Sequence, residues 1–491
     1  MKHLSAYFNK NSRLTRMPVF HESGVTKLPI SVPTNLEKKL TDILQIQNDY
    51  FPCFDWAFPP PLFSKPSGPK DTAELFSEPF VIPGRYSIYL HIPFCKTLCK
   101  FCYYTVMPGR NISELTTYVD YLLREMALYS DTLKSKTCES IYLGGGTPTC
   151  LNHDLLTKVL NGLKHHFNLA ENAEITIEAA PGTLPREKAS LLDKLGVNRI
   201  SYGIQTLNDK LLSKMNRHYS VKEAIQELED AIQIIGNINV DTMYGFDGEP
   251  DSALTDTLTT FMDIGIPCLS IYALDTQRCV QEKEYFGPAV DELYKKKIEL
   301  FQRSRELLMK RGFVNLLQNI FLKPGEASYI HQVRRWENLP LVALGISSMG
   351  YGPRKPYQNC ATLKPYYRHL DEGRPPIVSV EVLSPEMEMA REVSSQLRFT
   401  QVNILDILKK YGVDLDLGFH ELIDALINLG YLDRVGYKIK LSSEATYYNN
   451  VIPMLFSPDS FKEKLMGLPE EYVENFPVPH VLTRLGRTQS A

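Results

Sequence analysis

The 491-residue chain is poor in cysteine, with nine, and in tryptophan, with two, and its formal charge at neutral pH is only −3. Sparse cysteine excludes a disulfide scaffold, the device that replaces a large core in small secreted domains. A balance of 54 Lys and Arg against 57 Asp and Glu provides no long-range field for nucleic acid or an anionic membrane. No apolar run reaches the length of a spanning helix, and the start, MKHLSAYFNKNSRLTR, has basic residues without the apolar core of a signal peptide. These absences predict a soluble, cytoplasmic protein with a small-molecule partner, no nucleic acid and no membrane insertion. The length admits one large domain plus smaller appendages.

What cysteine there is gathers in one place. Cys95, Cys99 and Cys102 fall in the stretch YSIYLHIPFCKTLCKFCYYTVM at the spacing C-x3-C-x2-C, directly after a strand-like run at 87–92. Three thiolates on one short loop can hold three corners of an iron–sulfur cube and leave the fourth iron open. A structural zinc site competes with this reading, but such sites close with four ligands and no second Cys or His pair follows. Clustering of buried cysteines without a metal is the third reading, and Lys96, Thr97, Lys100 and Tyr103 on the same loop count against it. The remaining cysteines, Cys53, Cys138, Cys150, Cys268, Cys279 and Cys360, share no spacing and read as buried apolar residues.

Around this loop the chain alternates short apolar strands with longer amphipathic helices. Strands are predicted at 87–92, 140–143, 175–178, 199–203, 238–244 and 269–273, and helices at 114–129, 155–166, 188–195, 221–235 and 252–264. Such spacing gives consecutive βαβ units and a parallel sheet, an α/β fold closer to a barrel or partial barrel than to a doubly wound sheet. Residues 1–80 are rich in proline, which blocks continuous helix and central strand, and read as an arm that covers a neighbour. Within it lies a short helical pattern at 35–46 and an aromatic cluster, Tyr50, Phe51, Phe54, Trp56 and Phe58, suited to packing on the barrel. A charged helix at 291–311 and a strand-like run at 314–322 follow the barrel pattern. The apolar, glycine-containing 341–351 lies in a connection, 336–383, expected to return to the barrel mouth. Residues 384–465 read as a mainly helical, winged-helix-like unit, with helices at 387–395, 404–411 and 420–429 and strands at 432–435 and 437–441, and 466–491 as a tail.

The motifs taken together resemble the radical S-adenosylmethionine (radical SAM) enzymes, on the HemN-like branch named for oxygen-independent coproporphyrinogen III dehydrogenase. The resemblance runs through YLHIPFC, GGGTPT at 144–149, EAAPGT at 178–183, SYGIQT at 201–206, NR at 216–217, VDTMYG at 240–245 and ALGISS at 343–348. It implies a partial (β/α)6 barrel whose three cysteines ligate a 4Fe-4S cluster, with S-adenosylmethionine on the open iron. It also implies a one-electron donor such as a flavodoxin or ferredoxin. By the same resemblance Gly145, Gly146 and Thr147 receive the methionine end of the cofactor, Gln205, Arg217 and Asp241 the adenosyl end, and Glu178 the methionyl end or ribose. Tyr89 matches a tyrosine near the sulfonium, so Tyr89 and Glu178 are the catalytic candidates. Ile346, with Ser347 and Ser348, matches a segment that binds a second cofactor molecule. His91 reads as a satisfied strand histidine, and Phe101 as a shield over the cluster.

One departure matters. The branch's namesake enzymes continue past the third cysteine with Gly-Cys-Asn, whereas this chain has Tyr103, Tyr104 and Thr105. The aromatic pair is closer to HemN-like proteins of secondary metabolism, and that resemblance implies methyl or methylene transfer from a second S-adenosylmethionine to an sp2 carbon. Oxidative decarboxylation of coproporphyrinogen III and a heme-chaperone role are the alternatives.

Overall fold

The computed structural model describes residues 72–78, 80, 83–102, 104–246, 248–274, 290–317, 319–398, 401–443, 445 and 452–457. The helical pattern at 35–46, the aromatic cluster that includes Trp56, the tail, Tyr103, Cys53 and Cys279 lie outside these residues.

Strand β1 (Arg85–Ile92) sets the plan. Successive side chains of a strand point to opposite faces, so Ile88, Leu90 and Ile92 share one face and Ser87, Tyr89 and His91 the other. The same alternation recurs in β2 (Thr137–Gly145), β3 (Leu169–Ala179), β4 (Arg199–Gln205), β5 (Ile238–Tyr244) and β6 (Cys268–Ala273). All six run parallel in chain order. Helices α1 (Ile112–Leu133), α2 (His153–His166), α3 (Arg186–Lys194), α4 (Asp209–Lys214), α5 (Val221–Ile235) and α6 (Ala253–Ile264) fill the crossovers. Except for α4, their apolar stripes meet the outward isoleucines, leucines and valines in one continuous core. Capping boxes start α1 at Asn111 with Glu114 and α5 at Ser220 with Glu223, satisfying amides that the first turn leaves open.

The other face is unusual for a parallel sheet, whose strands ordinarily read as continuous apolar runs. Buried among its inward residues are Ser87, Ser140, Glu174, Arg199, Ser201, Asn239 and Ser270. The barrel is therefore apolar outside and polar within.

Helix α7 (Val290–Lys310) leads to a hairpin, β7 (Val314–Leu317) and β8 (Ile320–Leu322), where a single strand-like run was expected. After helix α8 (Ile330–Trp336) come β9 (Leu341–Leu344), β10 (Met349–Gly352), β11 (Lys355–Asn359), helix α9 (Leu363–Asp371) and β12 (Ile377–Val380). These residues extend the sheet rather than merely connecting its parts. The order is β12-β11-β10-β9-β1-β2-β3-β4-β5-β6-β8-β7, whose two ends are not neighbours, so the barrel is partial. Helix α10 (Pro385–Arg398) opens a separate apolar cluster that runs from Met389 to Phe456. There β13 (Gln401–Asn403), helices α11 (Ile404–Tyr411), α12 (Leu415–Gly418) and α13 (His420–Asn428), and the hairpin β14 (Leu432–Val435) and β15 (Lys438–Leu441) follow in winged-helix order. Among the described residues no helix is long and apolar enough to cross a membrane.

Candidate functional site

The cysteine loop leaves β1 and is fastened at both ends. Phe94–Cys95 pairs in parallel with Met107–Pro108, and the Met107 amide donates to the Pro93 carbonyl at 2.6 Å. At its far side the Lys100 amide donates to the Met215 carbonyl (3.2 Å), and Asn216 Nδ2 to the Leu98 carbonyl (2.7 Å). Cys95, Cys99 and Cys102 are free and half-buried. Burial pushes the Cys95 thiol up to about 12 and the Cys102 thiol up to about 11, because a thiolate in these surroundings lacks solvation. A soft metal that takes the sulfurs as thiolates supplies the missing countercharge.

Beside this loop runs the glycine turn that ends β2, and the structure gives each of its glycines a steric reason. A Cβ on Gly146 would stand 2.6 Å from the Phe94 carbonyl oxygen and 2.9 Å from Cys95 Sγ. Gly145 has φ +111°, and a Cβ there would meet the His91 ring at 2.5 Å; one on Gly144 would meet the Glu178 carboxyl at 2.9 Å. The triplet lets the chain's own histidine, carboxylate and cysteine loop close in on one another.

Glu178, near the end of β3, accepts from Tyr142 Oη (2.8 Å) and from the Gly145 amide (3.0 Å). Burial, with Asp241 adding repulsion, raises its carboxyl to about 7. Asp241 on β5 accepts from Ser201 Oγ (3.0 Å) and Asn239 Nδ2 (2.8 Å), and burial raises it too. Gln205, the last residue of β4, holds φ at 79°, and Asn216 holds 61°. Such angles cost a non-glycine residue stability and cluster where function fixes the backbone. The Asn216 turn carries Arg217 to the cysteine loop, where Nη1 donates to the Gly203 carbonyl (3.2 Å) and the guanidinium lies 5.5 Å from the Phe101 ring centroid. Its Nε is buried without a hydrogen-bond partner among the described residues.

The cysteine loop and the strand ends around it border one cavity of about 370 Å³. Its lining contains Cys95, Cys99, Cys102, Gly145, Gly146, Thr147, Glu178, Gln205, Arg217 and Asp241, together with Phe101 and Tyr104. Two predicted site residues stand apart. Tyr89 does not line this cavity: it stacks on Tyr142 (6.2 Å between centroids, 22°) and its hydroxyl meets His91 Nδ1 at 3.1 Å. His91 Nε2 bonds the Thr105 carbonyl (2.9 Å), and burial lowers the ring to about 4, so His91 is a neutral, fully used strand histidine. Ile346 is fully buried behind β1, its amide donating to Tyr118 Oη (3.1 Å), while the Gly345 amide donates to Glu125 Oε2 (2.7 Å). The backbone amides of that segment are spent within the fold.

Several site residues carry no sequence signal. Tyr142 and Tyr329 line the cavity in a loose stack (6.5 Å, 23°), and the fully buried Arg199 guanidinium sits 3.5 Å from the Tyr329 centroid. Glu174 holds the start of α8 beneath them, accepting from the amides of Ile330 (2.7 Å) and His331 (3.0 Å). Together they close the polar floor of the barrel. Cys150, read as a buried apolar residue, is half-buried and lines the cavity.

The donor set suits an iron–sulfur cluster. It is all sulfur, a soft set, and it leaves a fourth corner without a protein ligand. Among the described residues no three His, Cys, Asp or Glu side chains surround a single metal-ion position; a cubane instead spreads its ligands over separate irons. The orphaned Arg217 Nε and the two carboxylates beside the loop suit a polar, zwitterionic cofactor. Comparisons with known proteins agree. Residues 89–261 match the family described as the Radical SAM superfamily. The Heme chaperone HemW of Buchnera aphidicola subsp. Acyrthosiphon pisum is 30% identical over 292 residues, covering 58% of this chain and 75% of its own. The Oxygen-independent coproporphyrinogen III oxidase of Synechocystis sp. is 27% identical over 377 residues, 71% of this chain and 80% of its own. Coproporphyrinogen III oxidase (HemN) from Escherichia coli shares the fold, with a TM-score of 0.72 at 21% identity over 85% of this chain and 98% of that one.

Proposed function

The chain belongs to the HemN-like branch of the radical SAM superfamily, and from that premise we propose that it is a working radical enzyme that removes a hydrogen atom from a carbon of a small-molecule substrate. The observation that carries the proposal is the convergence of the cysteine loop, the Gly145–Thr147 turn, Glu178, Arg217 and Asp241 on one cavity. The family implies a 4Fe-4S cluster and S-adenosylmethionine, which Cys95, Cys99 and Cys102 and the cavity beside them would hold and which would supply one-electron cleavage of the sulfonium.

The chain's own tasks are binding, orientation and exclusion of water. Cys95, Cys99 and Cys102 hold the cluster. Arg217, with a guanidinium N–H unclaimed among the described residues, receives an anionic group such as the cofactor's carboxylate, rather than the adenosyl end that the resemblance implies. Asp241, oriented by Ser201 and Asn239, is suited to a pair of hydroxyls. Glu178, held between Tyr142 and Gly145, takes an ammonium or a ribose hydroxyl, and a cation beside it brings back its charge. Phe101 and Tyr104 line the same cavity as the three cysteines. An external one-electron donor, a flavodoxin or ferredoxin, completes the scheme.

Two further readings have specific support. Several relatives bear the name Heme chaperone HemW, which favours heme binding with the cluster in a supporting role. A relative named as a coproporphyrinogen oxidase favours decarboxylation. Methyl or methylene transfer rests on Tyr103 and Tyr104 alone, and the names of the relatives do not add to it. Anaerobic reconstitution followed by counting of 5′-deoxyadenosine, methionine and S-adenosylhomocysteine separates them. The expected result is 5′-deoxyadenosine and methionine in equal amounts, abolished in Cys95→Ala, Cys99→Ala and Cys102→Ala. S-adenosylhomocysteine alongside them points to methyl transfer, and protoporphyrinogen from added coproporphyrinogen III to the dehydrogenase. Tight heme binding without any cleavage overturns the proposal in favour of the chaperone.

A further inference from the structure

We propose that Tyr142 is a positioning residue whose hydroxyl holds the Glu178 carboxylate ready to take an ammonium group in the cavity. This rests on the cofactor reading above and commits Glu178 to the ammonium rather than to a ribose hydroxyl. Ser140, Tyr142 and Gly144 share the inner face of β2, as Glu174, Thr176 and Glu178 share that of β3. In the parallel register Tyr142 stands level with Thr176, so Glu178 lies one layer further along the strands, level with Gly144. A Cβ on Gly144 would stand 2.8 Å from Tyr142 Cε1 and 2.9 Å from Glu178 Oε1. The bare glycine is the gap through which the phenol reaches up a layer. There its hydroxyl donates to Oε1 at 2.8 Å while the Gly145 amide donates to Oε2 at 3.0 Å. One donor on each oxygen fixes the plane of the carboxylate and leaves each oxygen a further acceptor position.

The ring behind that hydroxyl is itself fixed. Tyr142 is buried and lies near-parallel to Tyr89 and Tyr329, with the His331 ring 5.3 Å away. His331 Nδ1 meets Ser140 Oγ at 3.0 Å, and the Arg199 guanidinium closes the row against Tyr329. The phenol is therefore aimed by ring packing that a phenylalanine would keep, and only the hydroxyl serves Glu178. Both of the donors that Glu178 has among the described residues are neutral. A buried carboxylate gripped by neutral donors still lacks a countercharge. A ribose hydroxyl brings none, whereas an ammonium brings one and has N–H groups to spare for both oxygens.

The test is equilibrium dialysis of the anaerobically reconstituted full chain against S-adenosylmethionine and against its analogue lacking the α-amino group, with iron content and circular dichroism as controls. Wild type is expected to prefer the amino-bearing ligand. Tyr142→Phe is expected to bind that ligand roughly tenfold more weakly and the analogue as before. Introduced into Glu178→Gln, the same change is expected to add no further loss. A wild type that binds both ligands alike overturns the inference. So does a Tyr142→Phe affinity that is unchanged, that falls for both ligands alike, or that falls as far in the Glu178→Gln background. Should Tyr142→Phe not fold, Gly144→Ala decides, since its Cβ enters the gap between phenol and carboxylate: the same selective loss is expected, and an unchanged preference overturns the inference. A wild type that binds neither ligand overturns the cofactor reading itself.

Discussion

At the scale of the residue, Glu178 has the most to reveal. Its carboxyl moves from 4.5 to about 7 because burial disfavours the charged form more than Tyr142 and Gly145 favour it. A folded-state value above the unfolded one means that the folded chain binds the proton more tightly. The stabilisation is fully present below pH 4.5 and is lost as the pH rises through about 7. In apoprotein, thermal melts across this window are expected to show a steeper fall in wild type than in Glu178→Gln, with a difference of roughly 3 kcal/mol at most. Parallel curves would show that the carboxyl is not enclosed as described. Glu125, also raised to about 7 by burial, is present in both proteins and cancels.

At the scale of the element, the turn ending β2 carries more constraint than its composition suggests. Gly145→Ala places a Cβ against the His91 ring at φ +111°, and overlap together with strain costs roughly 2–4 kcal/mol. Denaturant unfolding of the variant measures this, and an unchanged midpoint would remove the steric account. The barrel was legible in the sequence because period-two alternation and helix stripes are local signals. Strand β5 and helix α5 match their predicted limits, while β3 begins six residues earlier, at Leu169. The cysteine spacing was legible for the same reason. Tyr142, Tyr329 and Arg199 were not, because what matters about them is which residues across the barrel they meet. Glu174 holds amides 156 and 157 positions away, and no window of sequence contains that pairing. Cys150 was misread because composition cannot tell a buried thiol from one facing a cavity.

At the scale of the whole molecule, the barrel and the C-terminal unit meet along a seam of arginines on aromatic rings. Arg398 lies 4.1 Å from the Trp336 ring centroid and Arg391 3.8 Å from that of Tyr351, contacts strengthened when desolvated. Since the chain has only two tryptophans, Trp56→Phe leaves Trp336 as the sole indole reporter at this seam. Its emission and the far-ultraviolet dichroism are expected to change at one common denaturant midpoint. Separate midpoints would mean that the C-terminal unit departs first.

The polar floor formed by Tyr142, Tyr329, Arg199 and Glu174 has a bearing on how such a protein diversifies. Arg199 is fastened to the Ser328 carbonyl, Tyr142 to Glu178 and Glu174 to two backbone amides, so the floor cannot recede to admit a larger molecule without leaving buried charges unmet. Extra room for a new ligand must be won at the loop end, at the turns that follow the strands. Room can thus be gained only at the end that also carries the cysteine loop, while the floor stays as it is.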